Sequence, residues 1–90
     1  MGKTIITVLG QDTIGIIAKV CTYLSDNKVN IEDISQTITQ GYFNMMMIVD
    51  TSKSETPFGQ MVEDLKEIGE GIGVQIRCQK EEIFDKMHRI

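Results

Sequence analysis

Val29-Asn30-Ile31-Glu32-Asp33-Ile34-Ser35-Gln36-Thr37-Ile38-Thr39-Gln40-Gly41-Tyr42-Phe43-Asn44-Met45-Met46-Met47-Ile48-Val49-Asp50 is the stretch on which the fold turns. Apolar and polar residues alternate on both sides of Gln40-Gly41, the period-two signature of strands. Gln-Gly supplies the tight turn of a hairpin, so the spacing predicts antiparallel strands over 29–39 and 42–50. The alternation slips phase near Glu32-Asp33, as a β-bulge requires. The second strand is apolar on both sides: Phe43, Met45, Met47 and Val49 alternate with Met46 and Ile48. One set fills a core; the other needs an edge or a partner.

Working outward, each arm of the hairpin adjoins a helical pattern and then a further strand. Upstream, a helix is expected over 13–27, its apolar stripe formed by Ile14, Ile17, Ala18, Cys21 and Leu24 with Lys19 and Asp26 turned away. Before it, the β-branched run Thr4–Leu9 (TIITVL) reads as a short strand buried on both faces. Downstream, Thr56 as N-cap and Pro57 at the first helical position open a helix over 56–72, with Phe58, Met61, Val62, Leu65 and Ile68 as its stripe. Gly69, Gly71 and Gly73 read as a loosened helix end with Gly73 the left-handed cap. Val74–Gln79 then alternates as a strand with one dry face. The order is βαββαβ, so the chain is expected to be an α+β ferredoxin-like sandwich: a four-stranded antiparallel sheet with both helices on one face. A short amphipathic helix is expected over 81–90, with Ile83, Phe84, Met87 and Ile90 along one side.

Ninety residues make one domain over 1–90, with a core over 4–80. The formal net charge is −4, which argues against a nucleic-acid partner or an anionic membrane surface. The longest apolar run, Met45–Val49, is too short to cross a bilayer, and the amino-terminal residues enter a strand without an apolar leader. A cytoplasmic chain with Cys21 and Cys78 as reduced thiols is therefore expected. His88 is the one histidine, so neither a His-based catalytic triad nor a multi-His metal site is available. No metal, no cofactor and no enzymatic activity are expected. Among occupants of the fold, an RNA binder needs aromatic and basic residues on its central strands. A copper chaperone needs CxxC after the first strand, and an acylphosphatase an arginine there. Gly10-Gln11-Asp12-Thr13 supplies none of these.

That loop runs on as Ile14-Gly15-Ile16-Ile17-Ala18, and with Val29-Asn30-Ile31, Phe43-Asn44-Met45 and Gly73-Val74-Gln75-Ile76 in this order it resembles the ACT domain, a small regulatory amino-acid-binding module. The resemblance spans about residues 4–80 and is nearest to stand-alone ACT proteins related to the glycine cleavage system's transcriptional repressor. Where many members place Pro before the glycine, this chain has Ile14, which leaves the loop less rigid. The resemblance implies an effector bound at a boundary between two subunits, with Gly10, Gln11, Asp12, Thr13, Ile14 and Gly15 on one side and the neighbour's Asn30 and Ile31 on the other. It also implies a homodimer, the subunits pairing side by side into an extended eight-stranded sheet.

Elementary chemistry makes such a loop suitable. Unpaired N–H groups at the first helix's start, with the partial positive charge of that end, attract a carboxylate. Gly15 carries no side chain to block an approach to the backbone, and Asp12 is placed to meet an ammonium group. The plainer readings are that Asp12 is an N-cap, that Gly15 lets helix and sheet pack closely, and that Asn30 is a turn residue. Two function classes therefore stand: an effector-binding regulatory module, and a protein-interaction module that dimerises without a ligand. The apolar surplus on the 42–50 strand and in 81–90 points to self-association in both, the alternative being that the 81–90 helix covers the spare sheet face of its own subunit.

Overall fold

The structure, a computed structural model, describes residues 3–11 and 15–81. The elements are β1 (Lys3–Gln11), α1 (Ile16–Asp26), β2 (Asn30–Thr39), β3 (Tyr42–Asp50), α2 (Phe58–Ile72) and β4 (Val74–Lys80). Every strand pair is antiparallel, and the sheet order is β2-β3-β1-β4. Beyond Glu81, the helix expected over 81–90 lies outside the described residues.

The hairpin forms as its sequence requires. Gln40 and Gly41 both have positive φ, 53° and 84°, the twist a two-residue turn needs to match its flanking strands. The register slips between Ile31 and Asp33, so Glu32 is the extra residue of a bulge. Phe43, Met45, Met47 and Val49 are all buried, and with Ile6, Val8, Val74 and Ile76 they form one face of the core. Ile16, Val20 and Leu24 of α1 and Met61 and Leu65 of α2 close it from above. Both helices therefore lie on the same side, and the other sheet face carries no helix among the described residues.

Four expectations need correcting. The buried stripe of α1 is Ile16, Val20 and Leu24, with Cys21 packed at its margin; Ile17 and Ala18 face outward. Apolar residues at 16, 17, 18, 20 and 21 fit more than one helical stripe, and the i, i+4, i+8 ladder won. Ile14 of the expected stripe lies outside the described residues. At α2, Pro57 is the N-cap itself, since its ψ of 149° is not helical. Thr56 does not cap; its hydroxyl donates to Asn27 Oδ1 at 2.7 Å, tying the start of α2 to the end of α1. The Gly69-Gly71-Gly73 run is not a loosened end either, because α2 continues regularly through Ile72. Gly69 is buried, and a Cβ there would lie 2.7 Å from the Val74 carbonyl oxygen, so it is the point at which helix and β4 meet. Gly73 does take the left-handed cap, φ 80°, donating to the Gly69 carbonyl. Finally, β1 is buried on both faces only at its start: Thr4, Ile5, Ile6 and Val8 are buried, whereas Leu9 is 47 % exposed.

Candidate functional site

β1 runs out at Gln11 and the chain re-enters regular structure at Gly15, the N-cap of α1. Gly15 has φ 92° and ψ 0°, a left-handed conformation that any side chain would strain. A Cβ there would meet nothing within 4 Å among the described residues. Close packing is therefore not what Gly15 provides. Among the described residues no side chain caps the helix, and its first turn holds no acidic residue. Gly15 accepts a hydrogen bond from the Lys19 amide through its carbonyl (2.9 Å), which closes the first turn. The amides of Ile16, Ile17 and Ala18 precede the first intrahelical donor, and with the helix dipole they make this end electropositive.

Gly10, at the other end of this gap, is a packing glycine. A Cβ on it would lie 2.7 Å from Val74 Cγ1, so β1 and β4 close together there by virtue of its missing side chain. Gln11 is exposed at the strand's end. Asp12, Thr13 and Ile14 lie outside the described residues.

Asn30 and Ile31 are at the far end of the sheet. Gly10 and Gln11 pair with Phe43 and Tyr42, whereas Asn30 pairs with Asp50, itself opposite Lys3. Seven strand positions, roughly 24 Å, separate the two ends. Within one chain the candidate residues do not meet.

The Asn30 end is held by polar contacts. Lys3 is paired with Glu32, the bulge residue, and Asp50 accepts a hydrogen bond from the Ser52 amide (2.9 Å). That bond holds the Asp50 carboxyl below the usual aspartate range. β2 is one of the two edge strands, and its apolar residues are open: Ile34 is 42 % and Ile38 60 % exposed. Both lie on the helix side of the sheet, opposite the buried Met47 and Phe43, yet the helices do not reach across to cover them. Sequence periodicity places them correctly but does not say where the helical layer ends. A contact it gives no sign of joins the helices: Tyr23 donates to Asp64 Oδ2 at 2.6 Å, which lowers the Asp64 carboxyl and, after burial, helps raise the phenol. Cys21 and Cys78 are both unbridged, and burial pushes the Cys78 thiol up to about 12. Among the described residues no three ligating side chains cluster for a metal ion, and no helix is long and apolar enough to cross a membrane.

The family model for the ACT domain matches residues 3–79. The chain belongs to the ACT domain family. A UPF0237 protein of Bifidobacterium longum is 67 % identical over 90 residues, covering 100 % of both chains. The solved ACT domain protein from Streptococcus pneumoniae is 38 % identical, covers 91 % of this chain and 92 % of its own, and superposes with a TM-score of 0.80. A putative glycine cleavage system transcriptional repressor shares the fold at 20 % identity and TM-score 0.76, the match covering 87 % of this ACT chain and 44 % of the other. An ACT domain's regulatory character thus fits the whole length described, and the arrangement above is that of its β1–α1 loop and edge strand.

Proposed function

We propose that the chain is a regulatory module that binds an amino acid between two subunits. The observation that carries this reading is the first helix's start: among the described residues it has no side-chain cap, its first turn holds no acidic residue, and nothing stands within 4 Å of where a Cβ on Gly15 would be. Such an end receives a carboxylate, while Asp12 meets the ammonium group. The exposed β2 edge supports the second half of the reading. If two copies pair antiparallel along β2 about a two-fold axis, the start of one β2 lies beside the end of the other. Asn30 of the neighbour then stands at the Thr39 end, which in register is also the end of Gln11. Such a pair, as an eight-stranded sheet, removes the roughly 24 Å offset along the strands and leaves three strand spacings, roughly 14 Å, for the loop and its ligand to span. Two unbridged thiols suit a reducing, cytoplasmic setting. The module is a binder in this reading and performs no chemistry of its own.

A thermal-shift screen against the twenty amino acids tests it, since a ligand that binds only the folded state raises the midpoint. One or a few should do so. Asp12→Asn then weakens binding about ten- to a hundredfold, from roughly 1.5–3 kcal/mol for a charged hydrogen bond, and Gly15→Val weakens it more. Equal affinities for wild type and Asp12→Asn would remove Asp12 from the site. A dimer whose midpoint no amino acid moves would instead be an interaction module without a ligand.

A further inference from the structure

The helix-free face of the sheet has a charge pattern of its own. From Ile5 to Gln11 on β1 and from Tyr42 to Ile48 on β3, every side chain on this face is uncharged. Toward the hairpin it is apolar and open, with Met46 40 %, Leu9 47 % and Tyr42 56 % exposed, whereas Ile5, in the row of Asp33, is already buried at 5 % and its neighbour Ile48 is half-buried. Charge returns on the two edge strands. Asp33 of β2 is in register with Ile48, and Arg77 of β4 with Thr7, whose other neighbour is Met46. The two therefore stand on opposite edges of one face, one side-chain row apart, or about 7 Å along the strands. Neither side chain makes an ion pair or hydrogen bond among the described residues, whereas Lys3, at the end of the same face, is already paired with Glu32.

We infer that a second copy of this chain packs on this face, sheet against sheet, with Arg77 of each copy meeting Asp33 of the other. Two sheets stack with strands aligned to within about 30° and about 10 Å apart. Only two in-plane two-fold axes relate them. An axis across the strands lays each edge strand over its own copy, so Arg77 faces Arg77 and Asp33 faces Asp33. An axis along the strands, between β1 and β3, lays β2 over β4 and sets opposite charges face to face. The offset of one row is within the reach of an arginine side chain. The charges thus select one axis, and the uncharged apolar centre is the part that packing dries. Four strands of seven to ten residues give a flat footprint of roughly 560 Å² per copy, which side-chain relief enlarges toward the about 800 Å² per partner of specific interfaces. This contact uses neither the β2 edge nor the loop after β1, so it stands or falls apart from the ligand reading.

Sedimentation equilibrium of the full chain at micromolar concentration tests it, with circular-dichroism melts confirming that each variant folds. Wild type should have twice the mass of Met46→Glu: four chains against two if the β2 edge also pairs, two against one if it does not. Arg77→Asp and Asp33→Arg should each weaken association at least tenfold, and the double reversal should restore it. A wild-type mass equal to that of Met46→Glu, including a chain that covers this face with its own residues beyond Glu81, would overturn the inference. So would a double reversal no better than either single change.

Discussion

Gly69→Ala is the sharpest test of how α2 is seated. The added methyl would stand 2.7 Å from the Val74 carbonyl oxygen and 3.1 Å from Ile76 Cγ1. The nearer atom is backbone in a strand paired along its length with β1, so it cannot turn aside. Helix and strand must separate instead. Overpacking of this kind costs about 1–3 kcal/mol, and a backbone obstacle belongs at the upper end. Alanine returns about 1 kcal/mol through its better helix propensity, leaving a net loss of about 2 kcal/mol. In a domain this small that lowers the melting temperature by about 8–16 °C. Gly71→Ala is the control. Gly71 lies on the same helix, and a Cβ there meets nothing within 4 Å, so the propensity gain acts alone and stabilises by about 0.5–1 kcal/mol. The two variants are isomers and their unfolded chains are nearly equivalent, so calorimetric melts compare the native states directly. Gly69→Ala melting at or above wild type would refute the close approach of α2 to β4.

Three other changes follow from local geometry. Lys28 holds φ at 60° in the tie between α1 and β2, and its contact with Glu55 is an exposed 3.6 Å ion pair worth little. Lys28→Gly should therefore raise stability by about 0.5–1 kcal/mol in urea melts, the left-handed strain outweighing glycine's entropy in the unfolded chain. Asp64 is held below its ordinary value of 3.8, first by the Tyr23 hydroxyl and then by Gln60, so its contribution is complete above that value and disappears as pH falls through the folded one. Tyr23 is raised above its ordinary 10.0, chiefly by burial, so its contribution is lost as pH climbs past that value. Tyr23→Phe should flatten both limbs of stability against pH, and an unchanged acid limb would show that the Asp64 contact is not made. The Cys78 thiol, pushed up to about 12 by burial, should carry about one part in ten thousand thiolate at pH 8. Alkylation there should stay slow until denaturant opens the core; rapid labelling of the native chain would contradict its burial.

The hairpin was legible because its information is local: alternation, a Gln-Gly turn and a phase slip all appear within a few residues of what they specify. The left-handed cap at Gly73 was legible for the same reason. The misread features depend on what lies across the fold. Which of five apolar residues in Ile16–Cys21 faces inward depends on how α1 is turned over the sheet, and the sequence offers several choices of equal period. Gly69 looks like a weak spot in a helix until Val74 and Ile76 are placed beneath it. Thr56 has the chemistry of a cap, but Asn27, twenty-nine residues earlier, takes its hydroxyl. In the candidate site, motif order groups Gly15 with Asn30. The register sets Gln11, the strand end that leads to Gly15, and Asn30 at opposite ends of the sheet, and under the proposed pairing a second chain brings them to the same end.

The bulge at Glu32 also bears on how this chain tolerates loss of a residue. Deleting one residue from a strand normally reverses every side chain beyond the cut and turns a core face outward. Here Ile31 already pairs with Val49 and Asp33 with Ile48, the next residue along, so Glu32 is surplus to the ladder. Its removal would leave an unbroken strand with Ile34 and Ile38 still opposite Met47 and Phe43, at the cost of the contact with Lys3. Position 32 is thus where a gap in an alignment of ACT sequences would do no structural harm, whereas a gap two residues further on would invert the edge strand.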